Sequence, residues 1–286
     1  MIADSPPDAN PALRMARTRT PDFLEFTFRT AVAAGKAILP HFRAALDVAD
    51  KGGRDGYGYD PVTVADCAGE AVIRSRIARA FPDHGIRGEE LGLQQGASRY
   101  TWVIDPIDGT RSFILGQIHW ATLIALNDGK RVVAGVAHQP YVGETFLAEA
   151  GGAAQWRRGH ERRKLRTRRC RSLDAAVLAS TDPTMFRNAR DRAAFRRVAG
   201  KARLTRWGGD CYAYCLLAMG LIDVVIESSL EAYDIQALIP IVEAAGGVMT
   251  SWKGGRCDEG GSVVASGDRA LHPKVLKLLN AARSDR

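Results

Sequence analysis

The sequence predicts an α+β protein of two lobes. Strand-like apolar runs and helix-like periodic segments come mixed in runs rather than in strict alternation. The 286 residues suffice for one large core or two smaller ones. The pattern also changes on either side of a strongly basic segment at residues 157–171. A composition of 46% hydrophobic and 25% charged residues is that of an ordinary globular chain. No apolar run nears the roughly 20 residues that a membrane helix needs.

Residues 1–20, MIADSPPDANPALRMARTRT, lack the apolar core of a secretory signal and read as a disordered tail. Pro21–Val48 has helical apolar spacing, with Pro40 bending or ending one segment. A Gly/Tyr-rich loop, KGGRDGYGYDP, covers 51–61. Asp66 is expected as the N-cap of a helix to Ala80, with Glu70 early in it. FPDHGIRGEE (81–90) is turn-rich and ends on paired acids. Trp102–Ile104 is a strand leading into an aspartate motif. Trp120–Leu126 and Arg131–His138 are strands around NDGK (Asn127–Lys130), a hairpin signal. Glu144–Glu149 and Ala153–Trp156 continue the meander and complete an N-terminal lobe, 21–156.

The second lobe, 157–286, opens on the basic segment. Val177–Ala179 is a short strand and Arg192–Ala199 a helix. Leu204–Arg206 leads into a GGD turn and a helix through Ala218. Val224–Glu227 is an apolar strand ending on an acid. Asp234–Ala245 is a helix closed by Gly246 and Gly247. Val263–Ala265 and Ala270–Ala281 supply the last strand and helix.

The net charge of +8 is local. Segment 157–171 holds nine Lys/Arg and one Glu; taking these from 40 bases and 32 acids leaves 31 of each. A solvated loop or hairpin accounts for it, and an anion- or RNA-touching surface is the sharper alternative. No aromatic residue is interleaved there, which weighs against base stacking. The five cysteines are an odd number without a CxxC pair, which suits a reducing cytoplasm. Cys211 and Cys215 have no companion at zinc spacing and read as packing residues.

Acids recur at strand ends and turns: Asp60, Asp66, Glu89, Glu90, Asp105, Asp108, Asp210, Glu227 and Asp234. Strand ends in layered α/β proteins face crevices where ligands collect. Several ionised carboxylates share a crevice only with cations between them. Hard oxygen ligands without His or Cys point to Mg²⁺, with Mn²⁺ next. In WVIDPIDGTRSF (Trp102–Phe113), Pro106 fixes the turn, and both Asp105 and Asp108 can face one ion cluster. Gly109 allows close backbone approach, and a helix starting at Thr110 would offer N–H groups to an anion such as phosphate. Metal on one side and a helix start on the other suit phosphoryl transfer. A structural strand–turn–helix with capping aspartates is the competing reading.

WVIDPIDGTRSF, with GEE (Gly88–Glu90), DPVTVAD (Asp60–Asp66) and AYDIQALIPIVEAAGG (Ala232–Gly247), resembles the inositol monophosphatase superfamily over roughly Asp60 to Gly247. The resemblance implies a layered αβαβα sandwich, often dimeric, with Mg²⁺-dependent phosphatase activity. It implies one metal on Glu89, Asp105 and the Ile107 carbonyl, and a second on Asp105, Asp108 and Asp234. Gly109 and Thr110 N–H groups would bind phosphate. Asp66 with the Thr110 hydroxyl would orient and deprotonate the attacking water, with Glu89 polarising it. Lys51 would extend toward the phosphate, and His119 would be structural or a pocket wall.

RWGGDCYAYCLLAMG (Arg206–Gly220) followed by IDVVIESSLEAYD (Ile222–Asp234) is similar to the histidinol-phosphatase branch, as is DGTRSFILG followed by TLIAL. Asp108, Asp210, Glu227 and Asp234 would then meet the leaving group. An acid at Asp210 suits histidinol, whose ammonium and imidazole can be cationic; a helix cap near Cys211 is its structural alternative. The expected activity is Mg²⁺-dependent hydrolysis of histidinol phosphate in histidine biosynthesis, by a cytoplasmic homodimer. Inositol-1-phosphate or another small sugar or nucleotide ester is the nearest rival, and a non-catalytic RNA-binding protein the rival outside the enzymes.

Overall fold

The structure is a computed structural model that describes residues 22–52 and 59–281, so the expected tail at 1–20 lies outside the described residues. In chain order its elements begin with α1 (Phe23–Ile38), β1 (Val48–Asp50), β2 (Pro61–Thr63) and α2 (Val64–Ala80). The meander follows: β3 (Gly85–Gly88), β4 (Gly92–Gln94), β5 (Thr101–Asp108), α3 (Thr110–Ile114), β6 (Ala121–Asn127), β7 (Val132–Gln139), β8 (Glu144–Glu149), β9 (Gln155–Arg158) and β10 (Glu161–Lys164). The second part contains β11 (Val177–Ser180), α4 (Ala189–Ala199), β12 (Leu204–Trp207), α5 (Asp210–Ala218) and β13 (Val224–Leu230). It closes with α6 (Ala232–Ile235), α7 (Leu238–Ala244), β14 (Val248–Ser251), β15 (Gly261–Ser266) and α8 (His272–Leu279). None of these helices is long and apolar enough to cross a membrane.

Two main sheets form, eight strands in the order β10-β9-β8-β7-β6-β5-β3-β4 and five in the order β12-β11-β13-β15-β14. Both are buried on two faces, and strand alternation sorts their side chains into three apolar layers. On β5, Trp102 and Ile104 join the cluster under α1 and α2, whereas Val103 faces the middle layer. On β13, Val224 and Ile226 face α4 and α8, whereas Val225 faces the middle. Helices α5 and α7 fill the space between the sheets. The order helix, sheet, helix, sheet, helix is the expected layered sandwich.

Several boundaries move for local reasons. Helix α1 stops at Ile38 because Pro40 opens a short 3-10 turn, and Val48 belongs instead to β1, paired with β2. Thr63, not Asp66, caps α2. Its N–H and hydroxyl donate to Asp66 Oδ2 at 2.7 and 2.6 Å, which makes Asp66 the third residue of a capping box. The segment expected as one helix over Asp234–Ala245 is two, α6 and α7. Pro240 has no N–H to reach Gln236, so the ladder breaks there and restarts.

The basic segment is ordered. β9 and β10 make an antiparallel hairpin on the edge of the first sheet, which therefore runs on to Lys164. From there the chain crosses to the second sheet and is tied down. Arg168 donates to both carboxylate oxygens of the fully buried Asp223 at 2.7 and 2.5 Å, and Cys170 N donates to Asp268 at 3.0 Å. Truncating Arg168 leaves a buried carboxylate with one main-chain donor, Val177 N. Arg168→Ala is therefore expected to lower stability by about 2–3 kcal/mol in urea titration. Arg169→Ala, at an exposed neighbour, is expected to stay within about 0.5 kcal/mol of wild type.

Candidate active site

In a regular strand, residues three apart point to opposite faces. Asp105 and Asp108 escape this because the register of β5 against β6 shifts between them, at the proline that cannot donate to the ladder. The bulge is held from both sides. Thr122 Oγ1 donates to the Pro106 carbonyl at 2.8 Å, and Ile107 N donates to Asp105 Oδ1 at 2.9 Å. Both aspartates thus turn toward α6, where Asp234 closes a second capping box by accepting from Glu231 N at 2.7 Å. Carboxylate oxygens of Asp105, Asp108 and Asp234 come within 4.8 Å of one another.

Glu89 joins them, close enough that its charge is the first after burial among the causes that raise Asp105. Burial, then the charges of Glu89, Asp108 and Asp234, pushes Asp105 well above the usual carboxylate range. Burial, then Asp210, pushes Asp108 up to about 8. Asp234 is raised by burial and by Asp108. Such a group is poorly balanced by protein alone. Lys51 brings a cation to its edge, with Nζ 2.9 Å from Glu89 and 3.0 Å from Glu90. Hard oxygen donors without His or Cys are the donor set of a small divalent cation, and the cluster fits one.

The surroundings of Asp66 and Thr110 are equally specific. Asp66 Oδ2 is taken by Thr63, but Oδ1 is buried without a partner among the described residues, and burial raises the carboxyl to about 6. The Thr110 hydroxyl donates to the Ile107 carbonyl at 3.0 Å, not to Asp66. Gly109 has a left-handed φ of 89°, and a Cβ there would stand 2.6 Å from the His119 carbonyl. Two adjoining cavities of about 420 and 230 Å³ open over the cluster and share Asp60, Arg111, Ser229 and Asp234. Gly109, Thr110 and Asp210 line the smaller one, and Glu89 and Lys51 the larger.

The sequence profile of the inositol monophosphatase family matches residues 21–284. The chain belongs to that family. Bifunctional phosphatase IMPL2, chloroplastic, of Arabidopsis thaliana is 38% identical over 260 residues, 87% of this chain and 72% of that protein. A histidinol-phosphatase of Chlorobaculum parvum is 32% identical over 93% of this chain and 100% of its own length. An inositol-1-monophosphatase of Caulobacter vibrioides is 33% identical over 83% and 92%. Among solved structures, an inositol monophosphatase from Zymomonas mobilis superposes with a TM-score of 0.80 at 36% identity, covering 91% of this chain and 98% of that one. Inositol monophosphatase family phosphatases are metal-dependent, in keeping with the buried acids.

Within this family frame the remaining residues find their places. Asp210 opens α5 with a φ of 44° and accepts from Ser112 Oγ at 2.7 Å. The capping bond anticipated for it belongs to Asp108, whose Oδ2 accepts from Cys211 N at 2.8 Å. Glu227 stands behind the cavity wall instead of lining it, because its oxygens accept from Thr181 N, Thr181 Oγ1 and Tyr214 at 3.0, 2.5 and 2.9 Å. Thr181 lines the cavity in front of it. His119 keeps its Nδ1 buried without a hydrogen bond among the described residues.

Glu70 has a larger part than its early helical position suggested. Its two oxygens accept from Glu90 N and Leu91 N at 3.0 and 3.1 Å, and Arg74 holds it at 2.7 Å. This fixes the GEE turn that aims Glu89. A Cβ on Gly88 would fall 2.2 Å from Glu70 Oε1, so glycine is needed there. The i, i+4 spacing of Glu70 and Arg74 was the available signal.

Raised carboxyls give a pH prediction. Unfolded aspartates titrate near 4, so between about pH 4 and 8 the folded, metal-free protein binds more protons than the unfolded chain. Its stability therefore falls as pH rises through that window. A divalent cation offsets the repulsion only where the acids are ionised. Thermal unfolding in EDTA and in millimolar Mg²⁺ should show a metal-induced rise in Tm that is larger at about pH 8 than at about pH 5. An equal rise at both would contradict binding at these acids.

Proposed function

We propose that this inositol monophosphatase family phosphatase hydrolyses histidinol phosphate to histidinol and phosphate, using Mg²⁺ held by Glu89, Asp105, Asp108, Asp234 and the Ile107 carbonyl. The observation that carries the substrate is Asp210. It lines the smaller cavity beside the metal cluster, is held by Ser112, and lies outside the three-aspartate group. A carboxylate there can pair with a cationic leaving group, whereas a neutral polyol gains little from it. The histidinol-phosphatase name of the Chlorobaculum parvum relative supports the same reading.

The geometry supports a role for each residue in this reading. Asp66 Oδ1 is the buried acceptor available to take a proton from water. Thr110, fixed by its bond to the Ile107 carbonyl, keeps its hydroxyl lone pairs free to orient that water. Gly109 and Thr110 bring their main chain to the cavity floor, where N–H groups can receive phosphate oxygens. Divalent cations, when bound, supply charge stabilisation for the phosphoryl group and lower the pKa of water. No covalent enzyme intermediate is needed. Inositol-1-phosphate is the second reading, favoured by the hydroxyls of Thr181, Ser228 and Ser229 around the same cavity and by the Caulobacter vibrioides relative's name.

Phosphate release from histidinol phosphate, inositol-1-phosphate and a nucleotide 3′-phosphate, with and without Mg²⁺, tests the proposal. A large preference for inositol-1-phosphate would defeat the substrate assignment. Asp108→Asn keeps an oxygen for Cys211 N but loses the charge. It is expected to retain the wild-type circular dichroism and lose at least about 100-fold in kcat. Asp210→Asn likewise keeps an acceptor for Ser112. Its kcat/KM should drop about 10- to 100-fold on histidinol phosphate and less than about threefold on neutral esters. Equal losses on both would make Asp210 a structural residue.

A further inference from the structure

The fold uses only part of the charge concentrated in residues 157–171. Arg157 pairs with Glu25 at 3.0 Å and lies over the Phe28 ring. Arg163 pairs with Glu161, the segment's only acid, and covers Trp156. Arg168 holds Asp223. The other six bases, Arg158, Arg162, Lys164, Arg166, Arg169 and Arg171, are exposed. Their side chains make no hydrogen bond or ion pair among the described residues.

These charges have a fixed arrangement. Arg162 and Lys164 are alternate residues of the edge strand β10, on one side and about 7 Å apart. Arg166 and Arg169 flank Arg168, whose bond to Asp223 ties their backbone to the second sheet. None of the six lines the catalytic cavities. Their mutual repulsion finds no relief within the protein, and a polyanion would relieve it while releasing counterions.

We propose that this basic edge is a second, non-catalytic surface that binds the phosphate backbone of double-helical nucleic acid. Leu165 and Cys170 are buried, so the segment exposes no apolar side chain to enter a bilayer. Trp156 is 3% exposed and capped by Arg163, and the Phe28 ring is covered by Arg157, so neither aromatic beside the segment offers a platform on which unpaired bases stack. Backbone contacts alone make the binding independent of sequence. The same charges keep β10 from pairing with another strand edge, which leaves the surface open to its ligand.

Fluorescence anisotropy with labelled RNA and DNA duplexes of about two helical turns tests this on the full chain, with both duplexes expected to bind. With about four phosphates contacted, affinity should fall about 10²-fold between 50 and 200 mM salt. The combined variant Arg162→Gln, Lys164→Gln, Arg166→Gln and Arg169→Gln should lose at least about tenfold in affinity at low salt. It should also lose about one unit of salt slope per contact removed, with Tm and phosphate release unchanged. Absence of duplex binding at 50 mM salt overturns the proposal, as does binding that survives the four substitutions. Equal or tighter binding to single strands, to phosphatidylserine vesicles or to polyglutamate overturns it too.

Discussion

Four carboxyl groups, from Glu89, Asp105, Asp108 and Asp234, are confined side by side, where their mutual repulsion raises them and a cation among them would let all four ionise. The rest of the structure can be understood as the means of keeping them there. A bulge brings Asp105 and Asp108 into phase, and a capping box brings Asp234 to them. Glu70 and Arg74 hold the turn that carries Glu89. Left to side-chain preference alone, like charges would separate. The backbone gives them no room to do so.

One device recurs. Each of these aspartates commits one oxygen to a main-chain N–H and leaves the other for the site. Asp105 accepts from Ile107 N, Asp108 from Cys211 N, Asp234 from Glu231 N and Asp66 from Thr63 N. A carboxylate anchored in this way has little rotamer freedom to lose when it engages a ligand. Asp66 and Asp234 do this as third residues of capping boxes, Asp108 at the start of α5 and Asp105 within the bulge of β5. In each case the main-chain bond sets the direction in which the second oxygen points.

Much of this was legible in the sequence. The α+β class followed from mixed elements, and the pairing of Asp105 with Asp108 from the DPID turn, while the layered sandwich and the addition of Asp234 came from the resemblance carried by four short motifs. What stayed hidden depended on which partner each side chain meets in the fold. Nothing local distinguishes Asp66 as a cap from Asp66 as the third residue of a capping box, because the partner Thr63 suits either frame. The cap on α5 comes from Asp108, 103 positions upstream of Cys211, so Asp210 was the natural local candidate. Glu227 looked like a pocket acid because it ends an apolar strand, and only the fold reveals Thr181 and Tyr214 around it. The basic segment read only as a solvated loop or hairpin, and which of its arginines are bound and which are exposed depended on Glu25 and Asp223.

The chemistry sits on the seam between the two sheets. Asp105 and Asp108 come from β5 in the first, while Asp210 and Asp234 follow strands of the second. Neither half contains the whole acidic cluster. During synthesis, the emerging N-terminal half carries only Glu89, Asp105 and Asp108 of the acidic cluster, and one face of its sheet stays bare until α5 and α7 arrive. Asp234 joins only when α6 packs on β5, so the complete acidic cluster marks assembly of both parts of the chain.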